Sequence, residues 1–89
     1  MNWEVVVRHK IKKQLKRFPK KDIARIEVAL VQFRHNPFAG DIEKMEGEEN
    51  VWRKRVGSYR ISYELFPKKQ MVYVFMVERR TTTTYRKKH

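Results

Sequence analysis

The stretch Trp52-Arg53-Lys54-Arg55-Val56-Gly57-Ser58-Tyr59-Arg60-Ile61-Ser62-Tyr63-Glu64 decides the fold. Gly57-Ser58 is a two-residue hairpin signal, and the β-branched and aromatic residues on either side give both arms strand character. A two-residue turn there pairs Val56 with Tyr59, Arg55 with Arg60, Lys54 with Ile61, Arg53 with Ser62 and Trp52 with Tyr63. Side chains alternate across a strand, so Arg53, Arg55, Arg60, Ser62 and Glu64 share one face. Trp52, Lys54, Val56, Tyr59, Ile61, Tyr63 and Leu65 share the other, which must be covered by apolar partners. Pairing Arg55 directly with Arg60 opposes like charges: at about 5 Å the repulsion is roughly 3 kcal/mol for an effective dielectric of ~20, and below about 1 when fully hydrated. Three arginines converging on one face therefore suggest an anion site.

Toward the C-terminus, Met71 to Val77 is a further strand, set off by Pro67-Lys68-Lys69-Gln70. It is apolar at both parities, which predicts a central strand buried on both faces. If Lys68-Lys69 is also a two-residue turn, the face of Arg60 continues into Tyr73, Phe75, Val77 and Arg79. That would set a fourth arginine and two rings beside the cluster, the pairing of guanidinium and aromatic groups that holds phosphates and stacks bases of single-stranded nucleic acid. Thr81 to Thr84 reads as a loop or helix start before a basic end, Tyr85 to His89.

Toward the N-terminus, Asp41 to Asn50 carries five acids and one base without a period and reads as a loop. Before it, Ile23, Ile26, Leu30 and Phe33 recur at helical spacing, with Ala24, Val28 and Val31 widening the stripe. Asp22 offers this helix a cap or an early-turn anion, and Asn36-Pro37 ends it. Ile11, Leu15 and Phe18 mark an earlier amphipathic helix that Pro19 stops, and Trp3 to Val7 is an opening strand. The chain reads as one α+β domain over residues 1–89: an N-terminal strand, an αα-hairpin, then a three-stranded antiparallel meander completing one sheet.

Composition narrows the function. The 89 residues hold 22 Lys+Arg against 10 Asp+Glu, a formal net charge of +12. The charge is uneven: +7 over 1–40, −4 over 41–50 and +9 over 51–89. With 40% apolar residues and 12% aromatics this is a folded cationic domain rather than a basic tail, and its expected partner is a polyanion such as nucleic acid. The absence of cysteine excludes disulfides, thiolate metal sites and a Cys nucleophile, and suits a reducing cytosol. No run approaches the ~20 apolar residues that span a bilayer, and Met1-Asn2-Trp3-Glu4 lacks a signal peptide's pattern, so a soluble, cytoplasmic protein is expected. No carboxylate set on the sheet has metal-ligand spacing; no metal or cofactor is expected. His9, His35 and His89 fall on separate elements and do not converge as an acid–base pair.

Nearly the whole chain resembles the RelE/ParE toxin superfamily: the opening strand, the basic αα-hairpin, Asn36-Pro37, Lys44-Met45-Glu46-Gly47, and most specifically Trp52 to Glu64. The RelE branch implies a ribosome-dependent endoribonuclease that cuts mRNA and is neutralised by a partner antitoxin; the ParE branch implies a DNA gyrase inhibitor. Carried over by position, the family's basic residues on the first hairpin strand fall on Arg53 and Arg55, and the arginine of its Tyr-Arg pair on Arg60. The arginine after the last strand falls on Arg79, with Arg80 the alternative, and the tyrosine six positions later on Tyr85. RelE-type proteins have lysines where this chain has Arg53 and Arg55. Arginine holds phosphate bidentately but scarcely deprotonates, which leaves a catalytically inactive, RNA-binding member as a further alternative.

Metal-free cleavage would use the substrate's 2′-hydroxyl as nucleophile. It requires a base for the hydroxyl proton, cations for the charge growing on phosphorus oxygens, and an acid for the leaving 5′-oxygen. Arg53, Arg55 and Arg60 suit the second role, Tyr85 the first if nearby arginines lower its pKa, and Arg79 the third. Glu64, on the same face by parity, is a rival base. The partners implied are mRNA and the ribosome, with an acidic or amphipathic antitoxin segment covering the basic face, Tyr73 and Phe75; no membrane is involved.

Overall fold

The computed structural model describes residues 2–79. Arg80, Tyr85 and the Thr81–Thr84 tract lie outside the described residues.

The Gly57-Ser58 hairpin forms in the expected register. Strands β3 (Val51–Val56) and β4 (Tyr59–Phe66) pair antiparallel from Val56 with Tyr59, through Arg55 with Arg60, to Val51 with Glu64. Gly57 turns the chain at φ 58°, a left-handed value that a side chain would strain. Strand β5 (Met71–Arg79) returns along β4, and β1 (Glu4–Val7) lies parallel to β5, from Glu4 with Met71 to Val7 with Val74. Between β1 and the sheet's other strands the chain makes α1 (His9–Leu15) and α2 (Lys20–His35).

Both helices cover one face of the sheet. Ile11 of α1 and Ile26, Ala29 and Phe33 of α2 pack on Tyr59, Ile61, Tyr63, Leu65, Val72, Val74 and Val77 to form the buried core. The i, i+3, i+7 spacing of Ile26, Ala29 and Phe33 makes one stripe on α2. Val28 and Val31, expected to widen that stripe, instead face solvent at 57% and 53% exposure because they sit round the helix from it. The Tyr63 ring packs on Phe33 with centroids 4.4 Å apart and planes tilted by 43°, and its hydroxyl donates to the Pro37 carbonyl at 2.8 Å, so the chain leaving α2 is tied to the middle of β4.

Three features depart from the sequence reading. First, the acidic segment is not all loop: Ile42–Lys44 forms a short edge strand, β2, antiparallel to β3, with Glu43 opposite Arg53. The sheet thus has five strands in the order β1-β5-β4-β3-β2. Gly40, at φ 91°, opens β2, and a side chain there would press on Lys54 at 3.1 Å.

Second, the four-residue connection Pro67 to Gln70 does start β5 in the register expected of a turn at Lys68-Lys69, with Phe66 opposite Met71 and Glu64 opposite Tyr73. A bulge between Ser62 and Tyr63 then slips the pairing, so Ser62 faces Met76, Ile61 faces Val77 and Arg60 faces Glu78. A one-residue slip exchanges faces. Val77 is therefore buried under the helices and Arg79 pairs with Tyr59, whose side chain is on the helix face.

Third, β5 is interior to the sheet but buried on one face alone. Val72, Val74 and Val77 are in the core, whereas Tyr73 and Phe75 are half-exposed and Met76 is 41% exposed.

Candidate functional site

The sheet face opposite the helices is uncovered by any described element, and it carries the arginines. Arg53, Arg55 and Arg60 line a cavity of about 230 Å³ together with Asp41 and Glu43. The first three are brought together by the hairpin register: Arg55 lies across from Arg60, and Arg53 is one same-face position away on β3. The two acids come from the unforeseen strand and its approach. Asp41 accepts the backbone N–H of Arg55 at 2.9 Å, and its Oδ2 lies 3.7 Å from the Arg55 Nε. Both side chains are more than half exposed, 55% for Arg55 and 67% for Asp41. Such a pair contributes only about 0.2–1 kcal/mol to stability. Its consequence is local: two carboxylates offset part of the like-charge repulsion that Arg55 and Arg60 would otherwise feel.

Arg53 is held differently. Its guanidinium donates to the Met45 sulfur at 2.8 Å, and Glu43 is its cross-strand neighbour. The loop that follows β2 thereby fixes the outer wall of the cavity. A larger, open depression beside it, lined by Glu43 to Glu49 and Arg53, carries four glutamates against one lysine and one arginine.

Arg79 stands apart from this cluster. Its guanidinium lies 5.9 Å from the centroid of the Tyr59 ring, a cation–π distance, at the end of the sheet where Phe18 stacks on the same ring at 4.9 Å. The register brings Arg53, Arg55 and Arg60 to one cavity and assigns Arg79 to the neighbouring row. The position of Tyr85 is outside the described residues.

Glu64 is on the open face, as parity requires, but beyond Arg53 from the turn. It lines a separate groove with Glu49, Asn50 and the Pro67-Lys68-Lys69 turn. His9 and His35 occupy the first position of α1 and the last of α2, both exposed.

Tyr73 and Phe75 form the aromatic surface that sequence parity anticipated, stacked with centroids 6.5 Å apart and planes 26° from parallel. They stand on β5, the neighbour of β4, with Tyr73 opposite Glu64.

Lys54, between the two arginines of β3, points the opposite way into the core. It is 5% exposed, donates to the Gln32 side chain at 2.8 Å and lies 5.4 Å over the Phe33 ring. Burial lowers its pKa from the ordinary lysine value. Burial also raises the pKa of Tyr59 and Tyr63; for Tyr59 the hydrogen bond to Asp22 adds to the rise and Arg79 opposes it. Neither of these tyrosines is suited to act as a base.

Asp41 and Glu43 are the site residues that sequence reasoning missed. The available signal was the alternation Asp41-Ile42-Glu43-Lys44 between Gly40 and Gly47, but three strand residues are too few for periodicity to be read.

No family model matches the chain. A curated relative, the RelE1 toxin candidate of Methanocaldococcus jannaschii, is 23% identical over 83 residues, covering 90% of this chain and 92% of the relative. Among solved structures, the RelE of the archaeal RelE–RelB complex from Pyrococcus horikoshii superposes with a TM-score of 0.83 at 23% identity, over 92% of this chain and 99% of that one. The isolated E. coli RelE toxin superposes with a TM-score of 0.77 at 16% identity, covering 97% and 94%. The RelB–RelE complex from Methanococcus jannaschii gives a TM-score of 0.70 at 25% identity, covering 90% and 94%. The chain thus shares the fold of the RelE toxins and resembles them over almost its whole length.

Proposed function

We propose that this chain is the toxin of a toxin–antitoxin pair and a metal-independent endoribonuclease that cleaves mRNA on the ribosome. The observation that carries the reading is the cavity lined by Arg53, Arg55 and Arg60 on the open face of the sheet. Its guanidinium groups suit a phosphodiester whose oxygens gain charge as a 2′-hydroxyl attacks phosphorus. In that reaction the 2′-oxygen forms a bond to phosphorus, the bond to the 5′-oxygen breaks, and the products are a 2′,3′-cyclic phosphate and a 5′-hydroxyl. Tyr85 is assigned the base that takes the 2′-hydroxyl proton, and Arg79 or Arg80 the group that stabilises or protonates the leaving oxygen, a role that requires Arg79 to leave its contact with the Tyr59 ring. The stacked rings of Tyr73 and Phe75 offer a platform for bases on the same face.

The partner is an antitoxin with an acidic or amphipathic segment, in keeping with the RelE–RelB complexes among the structural relatives. Such a segment complements the arginines and covers Tyr73, Phe75 and Met76.

A ribosome-programmed cleavage assay tests the reading. Wild type is expected to produce cut mRNA, with Arg60→Ala, Arg79→Ala and Tyr85→Phe each reducing the rate by about a hundredfold or more while leaving the circular dichroism spectrum unchanged. Binding without any cleavage by wild type identifies an inactive RNA-binding member, and full activity in Tyr85→Phe removes the tyrosine from the mechanism.

A further inference from the structure

Resting on the arginine cavity as the phosphate site, we propose that Asp41 and Glu43 make it selective for an internal, singly charged phosphodiester over a doubly charged terminal phosphate. The cavity wall holds three guanidinium groups and two carboxylates, and both acids are supplied by the segment that begins at Gly40. Asp41 sits at 3.7 Å from the Arg55 Nε while its backbone carbonyl is fixed by the Arg55 N–H, and Glu43 is fixed opposite Arg53 by strand register. Neither acid is buried or required to satisfy a buried partner, so their effect on the fold is small and their effect on the cavity's potential is direct.

The charges lining the cavity leave one positive charge in excess, which matches the single negative charge of a bridging phosphate. A phosphate monoester carries about −1.5 to −2 at neutral pH. Its additional charge would have to be accommodated between two carboxylates, and opposed like charges are the usual means by which a site refuses a ligand that it could otherwise hold. Glu78 faces Arg60 from β5 without lining the cavity and adds to the same bias. The result is a site that engages the interior of an RNA chain and disregards its phosphorylated ends.

Titration of the full chain with dimethyl phosphate, a monoanion, and with methyl phosphate, largely a dianion at pH values well above 6, tests this directly, read by the Nε–Hε resonances of Arg55 and Arg60. In wild type dimethyl phosphate is expected to bind more tightly than methyl phosphate, by about threefold or more. In the Asp41→Asn, Glu43→Gln double variant the ratio is expected to move toward methyl phosphate by roughly three- to tenfold. An unchanged ratio, including equal tightening of both compounds, overturns the selectivity while leaving the phosphate site intact. If neither compound shifts either resonance, the cavity is not a phosphate site, and the functional assignment of the arginines falls with it.

Discussion

The Tyr59 hydroxyl donates to the Asp22 carboxylate at 2.8 Å, tying the first residue of β4 to the first turn of α2. Asp22 thus serves the tertiary fold rather than capping its helix, whose N-terminus begins after Pro19 with no side-chain cap. The same ring is stacked by Phe18 and approached by Arg79, so the α1–α2 connection, α2, the start of β4 and the end of β5 meet on one side chain.

Tyr59→Phe keeps the ring and removes the hydrogen bond. It is expected to cost about 1–2 kcal/mol at pH 7, seen as a lower urea midpoint. Because burial and Asp22 raise the folded-state pKa of Tyr59, the folded protein favours the neutral phenol. This contribution is fully present below the unfolded value of about 10 and is lost as pH rises from there through the folded value. Urea midpoints measured upward from pH 8 should fall more steeply for wild type than for Tyr59→Phe.

Tyr63→Phe leaves the buried Pro37 carbonyl without its donor at the point where the chain leaves α2. A loss of about 1–2 kcal/mol is expected, which lowers the melting temperature by roughly 5–15 °C. A melt within a degree or two of wild type would show that water replaces the phenol.

Two substitutions on α2 should separate core from surface. Phe33 is fully buried against Tyr63 and Lys54, and Phe33→Ala should cost about 3–5 kcal/mol, a large share of the stability of a domain this size. Val31, two positions earlier and 53% exposed, should accept glutamate within about 0.5 kcal/mol. Chemical denaturation of the pair checks both.

Arg60→Ala should weaken binding to single-stranded RNA and reduce the slope of log K against log salt by about 0.7, the value for one lost phosphate contact. Fluorescence anisotropy across a salt series measures it. An unchanged slope would mean that Arg60 does not meet a phosphate.

Lys54→Met replaces a buried ammonium by an apolar chain of similar length. Since burial lowers the Lys54 pKa, its charged form is disfavoured in the fold, and that penalty is relieved as pH rises through the folded value toward 10.5. Lys54→Met is therefore expected to be neutral or stabilising by no more than about 1 kcal/mol at pH 7, with the difference shrinking toward pH 10. A clear loss of stability would show that the contacts with Gln32 and Phe33 outweigh desolvation.

Much of the fold was legible because its signals are local. Gly57-Ser58 with strand residues on both sides specifies a hairpin and its register, and that register alone brings Arg53, Arg55 and Arg60 to one face. Ile26 and Phe33, at helical spacing, and the stops at Pro19 and Asn36-Pro37 specify α2. The faces of β5 were not legible beyond its middle, because the bulge opposite Ser62 and Tyr63 depends on how β4 and β5 pack together and has no mark in the sequence of either strand.

What the sequence determined by itself was the hairpin, the helices, the positive charge and the arginine-bearing face, since each follows from the spacing of neighbouring residues. Tertiary structure decided which charges keep company. Strand β2 and the residue before it carry Glu43 and Asp41 to the arginines, and the bulge sets Glu78 rather than Val77 opposite Arg60 while moving Arg79 to the helix-covered row. Both outcomes depend on pairing between segments separated along the chain, where a slip of one residue turns a side chain from one face of the sheet to the other.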